Sequence, residues 1–207
     1  MTTGPRFLWW CLLLVATGLV LLLSFRLDAG VHDWMTQNQR PSLRNFMQAV
    51  SRFGDWPEHI ALGLALLAVA WWRRSNKWIR IAVAMILACA IAGAAARVIK
   101  ISAGRARPSV HSEAGWNGPS ISSRYHAFPS GHTAASTAFF ASLAFASWRI
   151  GTPLMLIPLL VAFSRMYVAA HYLSDVICAV LIGLLTAYLV TTRILRPFRN
   201  PKSEIRN

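Results

Sequence analysis

Acidic side chains are scarce in this chain: its 207 residues include 7 Asp and Glu against 21 Lys and Arg, and charged residues of both signs make up only 14%. That is too little charge to clothe a water-soluble domain, and with 56% hydrophobic residues it places the chain in a bilayer. Also missing is a basic stripe along an amphipathic surface. The cations gather at the ends of apolar runs, as the positive-inside rule expects, so a pI near 11.4 does not indicate a nucleic-acid partner. Cysteine is sparse and odd in number. Cys11, Cys89 and Cys178 each fall inside an apolar run without the spacing of a zinc or redox site, and read as packing residues. No small-x-small cleavage site stands cleanly after the first apolar run. That run is also too long for the apolar core of a leader, so it reads as a retained span.

What is present is one apolar run after another. Hydropathy predicts six spans, at 7–25, 59–72, 79–98, 133–148, 153–170 and 172–191, hence an all-α, six-helix membrane bundle. A single domain over 1–207 is expected, with a motif-bearing core at 97–191 and a short basic tail at 192–207. Trp9, Trp10, Trp71, Trp72, Trp78 and Trp148 stand near span ends, where an indole buries its ring and keeps its N–H wet. The run AIAGAAA, 90–96, offers a small-residue face on which helix backbones can approach closely. Between the first two spans, SLRNFMQAVSRF sets Leu43, Phe46, Met47, Val50 and Phe53 at helical spacing, with Ser42 as the expected N-cap. This helix is expected on the membrane surface or docked on the bundle.

Orientation follows from the charges. With both termini cytoplasmic, the inner side receives Arg6, the RRSNKWIR turn, Arg149, Arg193, Arg196, Arg199, Lys202 and Arg206, and six of the seven acids fall outside. The Lys and Arg totals are then nearly even, 11 inside and 10 outside. Several outer cations therefore need another purpose.

Three stretches supply one: KISAGRARP (100–108), PSGH (129–132) and SRMYVAAHYLSD (164–175). In an alternating chain all three reach the same face, and ionisable groups there are rarely kept for packing. Lys100, Arg107 and Arg165 offer three cations, two of them guanidiniums whose forked donors match phosphate oxygens. With Ser130 as N-cap, the N–H groups of Gly131 and His132 lie at the positive end of a helix, which favours an anion. His171 and Asp175 are i and i+4 on one helical face. The carboxylate is expected to accept the Nδ1 proton and leave Nε2 as a lone-pair nucleophile, with His132 free to serve as general acid and base.

Taken together, KxxxxxxRP, PSGH and SRxxxxxHxxxD resemble the three signatures of the type-2 phosphatidic acid phosphatase family, matched here without a gap between 100 and 175. The first hundred residues share only apolar spans with it. The resemblance implies a helical bundle, a phosphohistidine intermediate, no metal or other cofactor, and a site at the outer face of a bacterial cytoplasmic membrane. It carries over Lys100, Arg107, Ser130, Gly131 and Arg165 as phosphate-binding residues and His171, His132 and Asp175 as catalytic ones.

The function expected is removal of a terminal phosphate from a membrane lipid: undecaprenyl pyrophosphate, phosphatidylglycerol phosphate, phosphatidic acid or a lipid A phosphate. No obligate protein partner is expected. The 109–128 segment, with Glu113, Trp116, Arg124 and His126, is expected to select the headgroup, and Arg105 and Arg124 are weaker candidates for a second phosphate contact. His32, His59, His111 and His126 read as structural or surface residues, although His126 stands close enough to PSGH to line the site. A phosphotransferase of the same family would use identical residues. A lipid transporter would be expected to show a repeat between halves and paired broken helices, and neither is seen.

Overall fold

Small residues fill the middle of the helix that begins at Gly131, and the other elements pack around it. A computed structural model describes residues 5–110 and 115–195. His111, Glu113, the side chain of Arg6 and the tail cations Arg196, Arg199, Lys202 and Arg206 lie outside the described residues. In chain order come α1 (Pro5–Gln37), α2 (Pro41–Phe53), α3 (Trp56–Trp72), α4 (Asn76–Ala103), a 3-10 turn (Ser123–Tyr125), α5 (Gly131–Ala146), α6 (Trp148–Leu154), α7 (Leu156–Tyr167) and α8 (Leu173–Leu195).

Helix α5 is the hub, packed by α3, α4, α6, α7 and α8. Its residues Thr133 to Leu143 are all buried. Ala134 and Ala138 meet Ala88, Ala92 and Ala96 of α4 and Ala179 of α8 in one cluster whose buried members are all alanine. The small face expected at 90–96 therefore does bring backbones together, where lipid competes for every apolar contact. Gly183 marks a close crossing of α8 on α5. A Cβ there would lie 2.7 Å from Cβ of Thr137 and 2.8 Å from the carbonyl oxygen of Ala134. Towards the other end of α5, Phe139, Phe140 and Leu143 pack on Ile81, Met85 and Cys89. All three cysteines are free, as packing residues would be.

Four stretches among the described residues are long and apolar enough to cross a membrane: α1, α4, the 148–167 stretch through α6 and α7, and α8. The expected count of six does not follow by that measure, because α3 has 17 residues and α5 has 16. At 1.5 Å per residue α5 is about 24 Å long, against a hydrocarbon core of about 30 Å. Sheathed by protein, it need not match the lipid. The outward faces of α1 and α3 are apolar and exposed, and Trp9, Trp10, Trp71, Trp72 and Trp148 are exposed near helix ends, as bilayer anchors would be.

Two boundaries depart from the sequence reading. Helix α1 continues past Phe25 to Gln37, beyond the last run of leucines, and buries Asp28. The surface helix α2 starts at Pro41 with Arg40, not Ser42, as its N-cap. A proline in the first turn sacrifices no helical hydrogen bond and presets the backbone angle. The buried Met47 and Ser51 lie on α2, which packs against α7.

Gly183→Val should lower the unfolding temperature in detergent, a loss of about 1–3 kcal/mol from overpacking. Gly18→Val on α1, where a Cβ meets nothing within 4 Å, is the matched control and should leave it unchanged. Equal behaviour of the two variants would contradict the packing described.

Candidate active site

Three chain reversals bring the polar stretches together. At the end of α4, Gly104 takes φ 57° and donates its N–H to the carbonyl of Lys100 at 3.2 Å. A left-handed residue here suits glycine, and a side chain would collide with the backbone of Gly118. The chain then returns past itself: Ala127 donates its N–H to the carbonyl of Arg105 and Arg107 to that of Arg124, each at 3.0 Å. After α7, Ala170 and His171 both donate backbone N–H to the carbonyl of Arg165, at 3.0 and 3.2 Å, which sets His171 beside Arg165. Finally Ser130 donates its N–H to the carbonyl of Asp175 at 3.1 Å, joining the start of α5 to the first turn of α8.

The result is a cleft of about 590 Å³ lined by Lys100, Arg107, Gly131, His132, Arg165 and His171, six of the eight residues singled out from the motifs. The positive end of α5 opens into it at Gly131, where a Cβ would lie 3.5 Å from Nζ of Lys100. Nε of Arg107 and Nε of Arg165 are buried there without a hydrogen-bond partner among the described residues. Buried donors are normally satisfied, so two orphaned guanidinium nitrogens in one cationic cleft point to an anionic ligand. Arg165 is aimed by α2, since its Nη1 donates to Oγ of Ser51.

His171 is buried, and its Nδ1 lies 2.6 Å from the carbonyl oxygen of Ala127. A carbonyl only accepts, so Nδ1 carries the proton and Nε2 keeps its lone pair. Burial first, and then Lys100, Arg165 and Arg107, hold this imidazole well below the usual histidine pKa, so it stays neutral. The expected role of Asp175 needs correction. Its Oδ2 is 3.6 Å from Nδ1 of His171, beyond a hydrogen bond, and accepts the backbone N–H of Tyr172 at 2.8 Å.

Asp175 belongs to a second, buried network behind the cleft. Arg105 donates from Nη1 to Asp175 Oδ1 at 2.5 Å and to Ser174 Oγ at 2.7 Å, and from Nη2 to Asp28 Oδ2 at 2.6 Å. Asp28 also accepts the N–H and the hydroxyl of Ser174, at 2.8 and 2.6 Å. Tyr172, Trp116 and Phe25 enclose the guanidinium, their ring centroids 4.4, 5.1 and 5.4 Å away. Arg105 is thus a tie between α1 and α8 and does not line the cleft.

Ser130 is the N-cap of α5, but its side chain makes no capping bond to the helix backbone. It is fully buried, and its Oγ accepts from Oγ1 of Thr133 at 2.9 Å, so only its neighbours Gly131 and His132 reach the cleft. His126 is buried with Nε2 on the carbonyl of Ser120, and no described residue of 109–128 lines the cleft. His59 is structural as expected, with Nδ1 on the carbonyl of Asp55 and Nε2 on Oγ of Ser136. The lining also includes residues the motifs do not: Asp55 and Trp56 at the start of α3, and Arg97 on α4. Asp55 caps α3 through Oδ1, which lies 3.8 Å from Nε2 of His132. An isolated aspartate before an apolar run signals a cap in sequence and nothing more.

The PAP2 superfamily matches residues 81–199. The chain belongs to this superfamily. The undecaprenyl-diphosphatase BcrC of Bacillus subtilis is 36% identical over 73 residues, which cover 34% of this chain and 38% of that protein. The match therefore spans well under half of that relative's length. In fold the chain is similar to the transmembrane PAP2-type phosphatidylglycerolphosphate phosphatase of Bacillus subtilis, with TM-score 0.69 and 20% identity, covering 89% of this chain and 98% of that one. It is also similar to Aquifex aeolicus LpxE, with TM-score 0.57 and 20% identity, covering 79% and 94%.

Removing the cation between the two buried carboxylates should be costly. Arg105→Gln is expected to destabilise the protein by about 3–5 kcal/mol, read as a lower unfolding temperature in detergent, with part of the loss recovered when Asp28→Asn is added. An unchanged unfolding temperature in Arg105→Gln would contradict the tie.

Proposed function

We propose that this PAP2 protein is a membrane lipid phosphatase that removes a terminal phosphate from a lipid phosphate or isoprenoid diphosphate through a phosphohistidine on His171. The observation that carries the reading is the fixed tautomer of His171, its lone pair held beside Lys100, Arg107 and Arg165. Nε2 attacks phosphorus in line with the leaving oxygen, the phosphorus–oxygen bond breaks, and His132 gives its proton to that oxygen. Water then attacks phosphorus, His132 takes a proton back, and the bond to Nε2 breaks to release inorganic phosphate and restore the lone pair.

The three cations and the N-terminus of α5 hold the phosphoryl oxygens, so the protein contributes mainly position and charge. Burial first, and then Arg165, lower the pKa of His132 to about 4; Asp55 at 3.8 Å works against them, and a bound phosphate among the same cations would further favour the protonated form that the first step needs. The Asp175 carboxylate stabilises the cationic imidazole of the intermediate from 3.6 Å, without holding its proton. Because nucleophile and electrophiles are all side chains, turnover proceeds without a metal. The site lies at the outer face of the cytoplasmic membrane with both termini inside, a placement supported by the purpose the cleft gives to Lys100, Arg107 and Arg165.

His171→Ala should abolish phosphate release while leaving folded protein, and vanadate should inhibit the wild type by occupying the phosphate position. Full activity in the variant would overturn the mechanism. EDTA should leave the rate within about twofold of its untreated value; a strong loss restored by Mg²⁺ would contradict metal-free turnover.

A further inference from the structure

The cleft does not end at the phosphate cage. Cys89, Ala90, Gly93, Ala94, Arg97 and Lys100 all line it from α4, and their spacing places them along one side of that helix. Lys100 stands with Arg107, Arg165 and His171. Arg97 comes next, three residues back, about 4.5 Å along the helix axis. Beyond it Ala94, Gly93, Ala90 and Cys89 make a small, uncharged wall for about a further 12 Å. A lipid whose terminal phosphorus meets His171 and whose chain follows this wall must pass Arg97 immediately after the reacting group.

We propose that Arg97 forms a second anion subsite that holds the retained phosphate of a lipid diphosphate, so that the cleft prefers diphosphates to phosphomonoesters. The inference rests on the phosphatase reading above. In a monoester the position beside Arg97 is occupied by uncharged carbon. In a diphosphate it is occupied by a charged phosphate, whose oxygens suit the forked donors of a guanidinium. Arg97 is exposed where it lines the cleft, and no hydrogen bond or ion pair to another described residue ties its guanidinium down, so it is available to a ligand.

The chemistry gives the same residue a role in the reaction. When the terminal phosphorus–oxygen bond of a diphosphate breaks, the leaving oxygen stays on the lipid phosphate, and negative charge grows there as the bond lengthens. A guanidinium beside it stabilises that charge in the transition state more than in the bound substrate. Products balance as a lipid monophosphate and inorganic phosphate, with one water consumed.

The test uses the full chain purified in detergent and a matched pair of substrates, a prenyl diphosphate and the monophosphate of the same prenyl alcohol. Arg97→Gln should lower the ratio of kcat/KM for diphosphate over monophosphate about 10- to 100-fold, with part of the fall in kcat, and Arg97→Lys should lower it less. The monophosphate arm reports folding and the phosphate cage. A ratio unchanged in Arg97→Gln, whether both rates fall together or neither moves, overturns the subsite and leaves Arg97 as a side chain that reaches for lipid headgroups. Failure of the wild type to release phosphate from either substrate would overturn the phosphatase reading itself, and the subsite with it.

Discussion

The hydrogen bond from Nδ1 of His171 to the carbonyl of Ala127 joins the stretch just before PSGH to the one that begins at Ser164, and most of the site depends on it. It settles which nitrogen of a buried imidazole is protonated, and does so with a backbone oxygen that cannot itself titrate. A carboxylate in that place would add a negative charge against the face where a phosphate must sit. Asp175 is instead drawn towards Arg105, so its charge is balanced behind the site and reaches His171 only through space.

Two cationic systems of opposite character therefore lie back to back. Arg105 is held by Asp28, Asp175 and Ser174 and enclosed by three aromatic rings, away from the cleft. Arg107, two residues later, faces the cleft with its Nε unsatisfied. The pleat of the returning chain sends alternate side chains to opposite sides, so one short segment both secures α1 to α8 and furnishes the anion site.

Much of this could be read in the sequence. The motifs fixed a common face for Lys100, Arg107, Gly131, His132, Arg165 and His171 because each stands at or near the end of an apolar run, and topology alone gathers such ends. Ser130 and Asp175 were harder. Their spacing was right, but an i, i+4 pair in sequence does not say which of several neighbours a carboxylate will choose. Asp28 was out of reach because it lies 77 residues from Arg105 on a helix whose polar continuation no longer shows a hydropathy signal. Arg97 and Asp55 give no stronger signal in sequence: a single charge beside an apolar run looks like a snorkelling or capping residue until the cleft it lines is known. The count of six spans is not confirmed by length and hydropathy among the described residues, since α5 is surrounded by helices and is only as long as its partners require.

The central claim is that phosphate passes through His171 on its way to water. Its most direct test is the stereochemical course at phosphorus, measured with a substrate whose terminal thiophosphate is made chiral by oxygen isotopes and hydrolysed in isotopically labelled water. Two successive in-line displacements, on to Nε2 and then on to water, predict overall retention of configuration. Inversion would mean that water attacks the lipid phosphate in a single step, with His171 serving only to hold it, and would contradict the account.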